Sequence, residues 1–305
     1  MSAERRSGVL AVDKGAGVTS FQVVDRIRRL LRAPKVGHGG TLDPDATGVL
    51  PVLVGEATKL TPYLVDLDKE YVATVRLGVI TDTQDLAGAV LETRPVPAID
   101  RAVLEGACAR FVGAIRQVPP MYSALHHEGR RLHELARAGV EVERAPREIV
   151  VHALVLEAVA LPDITLRVTC GKGTYVRTLA ADLGAALGCG AALARLVRAR
   201  VGPYHLDAAI AWSEVREAPG GERLWSRLEP PASAVAHLAE VRLADDDVRR
   251  FRQGQAVALA APGHGLARIH GSSGELIGVG RREGALVRPE RVLHADPARP
   301  GLVSR

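Results

Sequence analysis

The sequence predicts a mixed α/β (α+β) chain: a large domain of strands and helices to about residue 215, then a small β-rich unit. Three observations carry that prediction. Apolar and polar residues alternate in Tyr71–Leu77 and Ile164–Cys170, the period of a half-buried strand. Apolar residues recur at helical spacing in 23–31, ahead of those strands, and in 103–111, between them. Beyond residue 240 a short helical stretch is followed only by brief strand-like runs.

The elements follow in order. Val9–Asp13 is a short buried strand that enters a Gly-rich turn. Thr19-x-x-Gln22 is a capping box, and the helix it opens puts Val23, Val24, Ile27, Leu30 and Leu31 on one face. Its other face carries Arg26, Arg28, Arg29 and Arg32, and Pro34 stops it. Residues 36–48 are too rich in Gly, Pro and Asp for regular structure, so they form a loop before a strand at Leu50–Val54 and a short helix over 56–66. After the strand at 71–77, Asp100 caps a helix that turns Val103, Leu104, Ala107 and Phe111 inward. Residues 117–147, with Pro119-Pro120, three His and many charges, read as a large excursion from the fold. Strands resume over 149–160 and 164–170. Gly171-Lys172-Gly173 then turns into a helix from about Thr174 to Leu187, ended by Gly188, before a strand over 193–201. Residues 215–235 read as a linker, and the tail as a helix at 245–253 with strands at 267–270, 276–279 and 286–287.

Composition narrows the function classes. The 305 residues are 47% apolar and 25% charged, ordinary for a globular protein of one large domain with an appendage, or two domains. No apolar run of 18 residues occurs, and no secretory signal is read, so a cytoplasmic protein is expected. Three cysteines without a CxxC pair argue against a disulfide framework and a zinc site. The net charge is +5, and the basic residues cluster. Residues 26–42 hold five basic residues and no acidic one; residues 164–204 hold six against Asp182 alone. A polyanionic partner fits that distribution, while a GC-rich genome explains the preference for Arg over Lys.

The loop 37–50 carries the chemistry. Asp43 and Asp45 sit in a segment that Pro44 stiffens and glycines let approach a ligand. A carboxylate held beside basic residues stays ionised and can serve as nucleophile or base. Read from its residues alone, Asp43 fits better a capped turn before proline. Gly171-Lys172-Gly173-Thr174 is not a P-loop, lacking a Gly five residues ahead of Gly171 and a Ser/Thr directly after the Lys. The cysteines read as small buried residues.

Gly37, His38, Gly40, Leu42, Asp43, Pro44, Ala46, Gly48 and Leu50 fill all nine named positions of G-H-x-G-x-L-D-P-x-A-x-G-x-L, and this stretch resembles the signature of the TruB family of tRNA pseudouridine synthases. The resemblance runs on through 8–20, Lys69-Glu70-Tyr71, Thr81-Asp82-Thr83-Gln84-Asp85, a thumb loop at 119–139, and Cys170 to Thr178. The tail, especially Gly274 to Val279 and 288–292, is more loosely similar to a PUA-like domain. It implies a mainly antiparallel catalytic sheet of pseudouridine-synthase type over 1–235, with the thumb-loop insertion at about 117–147, and a PUA-like RNA-binding domain over 236–305. It also implies conversion of the uridine at position 55 in the T arm of tRNA to pseudouridine, with no cofactor or metal and no membrane, by a chain expected to be monomeric. By the same resemblance Asp43 attacks or promotes glycosidic cleavage, Arg177 pairs with it and lowers its pKa, and Tyr71 stacks on the everted uracil. His38 contacts the everted nucleotide or fills the space it vacates, Tyr175 and Leu196 line the uracil pocket, and Lys14 belongs to the substrate-binding set.

Four positions depart from the family pattern: His126 and His133 in the thumb loop, Gly15 for Pro, and Phe21 for His. Two alternatives share these features. A guide-RNA-dependent synthase has the aspartate motif but lacks the thumb loop, and a tRNA-binding folding helper needs no catalysis.

Overall fold

The structure is a computed structural model and describes residues 7–123, 126, 127 and 129–294. The elements in order are β1 (Gly8–Lys14), α1 (Ser20–Leu31), β2 (Val36–His38), β3 (Thr47–Val54), α2 (Thr61–Val65), β4 (Lys69–Leu77), β5 (Val79–Thr81) and β6 (Val90–Thr93). There follow α3 (Arg101–Ala109), β7 (Gly113–Gln117), β8 (His126–His127), β9 (Arg130–Arg131), α4 (Leu132–Arg137), β10 (Arg147–Ala160), β11 (Asp163–Cys170) and α5 (Val176–Ala186). The chain ends with β12 (Ala191–Val201), β13 (Tyr204–His205), β14 (Ile210–Ala211), α6 (Trp212–Glu217), α7 (Glu222–Ser226), β15 (Ala239–Arg242), α8 (Asp245–Arg252), β16 (Val257–His270) and β17 (Leu276–Val292). Chain contacts group these elements into two compact units, one of residues up to 44, 48–66 and 201 onward, the other of 45–47 and 67–200.

In the first unit β1 and β3 pair antiparallel from Gly8 opposite Val54 to Lys14 opposite Gly48, with β14 parallel to β1 and β2 on the other side of β3. α1 is capped as its sequence predicts. The Thr19 hydroxyl accepts from the Gln22 amide at 3.1 Å and the Gln22 side chain accepts from the Thr19 amide at 2.8 Å. Val23, Val24, Ile27 and Leu31 pack on Leu10, Val12, Leu50 and Val52.

The segment expected as a linker is part of that core. It forms α6, α7 and a 3₁₀ turn, and Val215, Leu224 and Val235 are at most 2% exposed. Burial of each such side chain stabilises by about 1.5–3 kcal/mol, enough to hold short, Gly- and Pro-interrupted pieces in place. Val215, Leu224 and Val235, with the partly buried Trp225 and Leu228, follow no single period over 215–235, so the sequence pattern does not mark them as core.

The C-terminal part of this unit lays β15 parallel to β16 and β16 antiparallel to β17 around Val248, Phe251, Ile269, Ile277 and Val287. Lys59 donates to the Val292 carbonyl at 2.9 Å, and the His294 amide donates to Glu56 at 2.9 Å, tying β17 and the residues after it to the turn after β3.

In the second unit the strand order is β12-β4-β11-β10-β7. The pairs β4–β11, β11–β10 and β10–β7 are antiparallel, with Tyr71 opposite Val168. Alternation works as expected: Tyr71, Ala73, Val75 and Leu77 are buried with Ile164, Leu166, Val168 and Cys170 on one face. The other face carries cross-strand ion pairs, Arg167 with Glu70 at 2.7 Å and with Glu157 at 2.6 Å. Helix α3 differs from expectation in orientation: Leu104, Ala107 and Cys108 face inward, while Val103 is 54% exposed. The excursion at 117–147 carries the small β8–β9 pair and α4. The side chains of His126 and His133 lie outside the described residues.

All three cysteines are buried, and burial pushes the Cys170 thiol up to about 11, which leaves it unsuited to nucleophilic work near neutral pH.

Candidate active site

The Asp43 loop belongs to the first unit, where irregular backbone is held by bonds to the β1–α1 turn. Lys14 closes β1 and is fully buried. Its ammonium donates to the carbonyls of Gly15 at 2.9 Å, Val18 at 2.7 Å and Pro44 at 2.8 Å. Such a cation is stable out of water only with its donors satisfied, and here backbone oxygens take part in that. Gly17, at φ +74°, a conformation that favours glycine, also donates its amide to Pro44 at 3.0 Å. Beside it Trp212 covers Gly15 so closely that any Cβ there would stand 3.2 Å from the indole, which suits the glycine found where the family commonly has proline.

Ser20, at the first turn of α1, bonds both backbone groups of Leu42, accepting from its amide at 2.9 Å and donating to its carbonyl at 3.1 Å. Asp43 is half-buried between these two anchored neighbours. At the loop's far end the Gly48 amide bonds the Asp13 carboxylate. Burial pushes that carboxyl above its usual range, against the opposing effect of this bond and of the Lys14 ammonium. His38 ends β2, half-buried and opposite Val52.

The second unit positions the other residues. Arg177, in the first turn of α5, is 5% exposed. Its guanidinium donates to the carbonyls of Thr83 at 3.1 Å and Tyr122 at 2.8 Å, and lies 3.7 Å from the Asp85 carboxylate. The Thr81–Asp85 turn that receives it is braced internally, with the Thr81 hydroxyl on the Asp85 carbonyl and the Thr83 hydroxyl on the Asp85 carboxylate, each at 2.6 Å. Thr178 adds a bond to Gln84 at 2.7 Å. Tyr175 caps α5, and Gln117 holds it by both backbone groups, accepting from its amide at 2.8 Å and donating to its carbonyl at 3.1 Å. Tyr71 lies on the buried face of β4, and Leu196 is buried on the neighbouring β12, each 9% exposed.

The structure thus brings Lys14, His38 and Asp43 into one unit and Tyr71, Tyr175, Arg177 and Leu196 into the other. Sequence reasoning missed Ser20, Gln117, Gln84 and Asp85 as supports. Their bonds span 22 to 94 positions, and no local signal announces a contact at that separation.

The basic helix face is partly occupied. Arg26 donates to the carbonyls of Arg216 and Ala218 at 2.9 Å each, and Arg28 and Arg29 pair with Asp25, while Arg32 and Lys35 are exposed. Among the described residues no group of three His, Cys, Asp or Glu could hold a metal ion, and no helix is long and apolar enough to cross a membrane.

The architecture is that of a pseudouridine synthase. It superposes on a chain of a Cbf5–Nop10–Gar1 complex with a TM-score of 0.73 at 27% identity, covering 96% of this chain and 86% of the other. A chain of an H/ACA RNP bound to a substrate RNA containing 2′-deoxyuridine matches with a TM-score of 0.71 at 26% identity, over 95% and 86%. Residues 28–176 match the model of the TruB family pseudouridylate synthase N-terminal domain. Residues 177–235 match the tRNA pseudouridylate synthase B C-terminal domain, and 239–293 the C-terminal model of pseudouridine synthase II TruB. The protein of Aromatoleum aromaticum named tRNA pseudouridine synthase B is 46% identical over 287 residues, 94% of this chain and 92% of that one. Its namesake in Burkholderia mallei is 46% identical over 301 residues, 96% and 99% of the two chains. The chain belongs to the TruB family of pseudouridylate synthases, enzymes that isomerise uridine to pseudouridine.

Proposed function

We propose that this chain is a stand-alone tRNA-modifying enzyme of the cytoplasm that converts the uridine at position 55 in the T arm to pseudouridine. The observation that carries this reading is the 46% identity, over nearly the whole length of both chains, to proteins named tRNA pseudouridine synthase B. It favours a stand-alone enzyme, since the likeness to chains solved within multi-component assemblies, a Cbf5–Nop10–Gar1 complex and an H/ACA RNP, is lower at 27% and 26% identity.

The reaction is an isomerisation. The C1′–N1 bond breaks, the uracil turns, a C1′–C5 bond forms, the C5 proton leaves and N1 gains one. The C5 atom of a stacked nucleotide is out of reach, so the uridine has to be everted into the enzyme. Asp43 is the carboxylate that attacks or promotes cleavage, Arg177 steadies it as a carboxylate, and Tyr71 stacks on the uracil near C5. Tyr175 and Leu196 shape the pocket and His38 meets the everted nucleotide. Lys14, with its ammonium buried on carbonyls, supports the loop. The tail from residue 236 serves as a PUA-like RNA-binding domain.

Incubation of the pure chain with an unmodified tRNA transcript, followed by mapping of pseudouridine, is expected to give product at position 55 alone. Product that forms only when a guide RNA is added, or at another position, overturns the reading. Affinity for the same transcript is expected to fall steeply with salt, by about tenfold or more between 50 and 200 mM, because phosphate contacts release counterions. An affinity that stays flat over that range contradicts a grip through exposed residues such as Arg32 and Lys35.

A further inference from the structure

Ser20 has a hydroxyl that helix capping does not use. Thr19 and Gln22 already form the capping box of α1. The neighbouring Ser20 side chain instead crosses to the loop 22 positions on, where its oxygen accepts from the Leu42 amide and donates to the Leu42 carbonyl. Ser20 is 3% exposed, so these are dry bonds, and its loss would leave both Leu42 groups without this partner. On the other side of Asp43, the Pro44 carbonyl takes the Lys14 ammonium and the Gly17 amide.

We infer that Ser20 is a positioning residue for catalysis, fixing the peptide groups on either side of Leu42 so that the next residue presents its carboxylate at one place. The inference rests on the reading of Asp43 as the reacting carboxylate. Three physical points support it. Asp43 stands in irregular backbone, so no strand or helix ladder sets its place. Ser20 rides on a helix anchored by Val23, Val24, Ile27 and Leu31, and a group carried on a rigid element transmits that rigidity to what it holds. A misplacement of about 1 Å at a reacting group costs on the order of 100-fold in rate.

The test compares single-turnover rates at saturating enzyme, tRNA affinity and thermal melting for the wild type, Ser20→Ala, Ser20→Cys and Asp43→Asn. Ser20→Ala and Ser20→Cys are expected to slow the chemical step about 10- to 100-fold while the Kd for tRNA stays within about twofold. Cysteine keeps the shape but is a weak hydrogen-bonding partner, so a loss shared by both variants belongs to the bonds and not to volume. A Ser20→Ala enzyme with the wild-type rate overturns the inference, as does a loss of rate matched by an equal loss of tRNA binding or of folded protein. Should the alanine variant fail to fold, Ser20→Thr carries the test: a folded threonine variant that keeps the hydroxyl is expected to hold the wild-type rate, and a slow one counts against the inference. Asp43→Asn separates the two claims. If it stays active, the reading of Asp43 has failed. If it is inactive while the Ser20 variants run at full rate, only the role of Ser20 has.

Discussion

Asp43→Asn is expected to abolish pseudouridine formation, by about 10⁴-fold or more in single-turnover rate, the scale seen when a reacting nucleophile is removed. The substitution keeps the shape of the side chain and removes its charge. The loop is expected to keep its place, because the bonds that hold it run to the backbone of Leu42 and Pro44 from Ser20, Lys14 and Gly17. Binding of tRNA should therefore change by no more than a few-fold, since phosphate contacts elsewhere dominate affinity. Position-resolved pseudouridine mapping and a filter-binding titration on the same preparation check both halves. Unchanged modification removes Asp43 from the mechanism. Loss of binding together with loss of product points to a collapsed loop.

The second large effect is expected at Arg177. Its guanidinium reaches two carbonyls and a carboxylate from one planar fork while almost wholly out of water. Lysine offers one compact ammonium in place of the planar fork whose two separate nitrogens meet the Thr83 and Tyr122 carbonyls. Arg177→Ala goes further and leaves those oxygens and Asp85 without their cation, at a cost of about 1–3 kcal/mol for each buried acceptor left unpaired. Activity below about 1% is expected for both substitutions, because they unseat the Thr81–Asp85 turn as well as the cation assigned to Asp43. Thermal melting should separate them, with alanine well below wild type and lysine between. A lysine variant with full activity and an unchanged melting curve contradicts the role given to this residue.

Much of the fold was legible where local chemistry and burial agree. The Thr19–Gln22 box and the spacing from Val23 to Leu31 specify α1 before any partner is known, and the alternation of Tyr71–Leu77 and Ile164–Cys170 specifies two paired strands. The same logic failed at 215–235, where Val215, Leu224 and Val235 are core residues set among turn-formers with no common period. It failed at Val103, which fits a helix face by spacing yet points to solvent, because periodicity marks a stripe without saying how the stripe is turned. The charged face of α1 was visible as a run of arginines. That Arg26 holds carbonyls 190 and 192 positions away, and that Asp25 pairs with Arg28 and Arg29, follows only from packing.

The sequence alone determined the kind of most elements, though not β2 at Val36–His38 or the helices of 215–235, together with the aspartate-bearing loop and the family it resembles, because propensity, capping and an unbroken motif act over a few neighbouring positions. Tertiary structure decided which groups hold that loop. Ser20 on Leu42, Lys14 on Pro44, Gln117 on Tyr175 and Arg177 on Thr83 and Tyr122 are bonds between segments distant in sequence. Such bonds exist only after hydrophobic burial has brought those segments together.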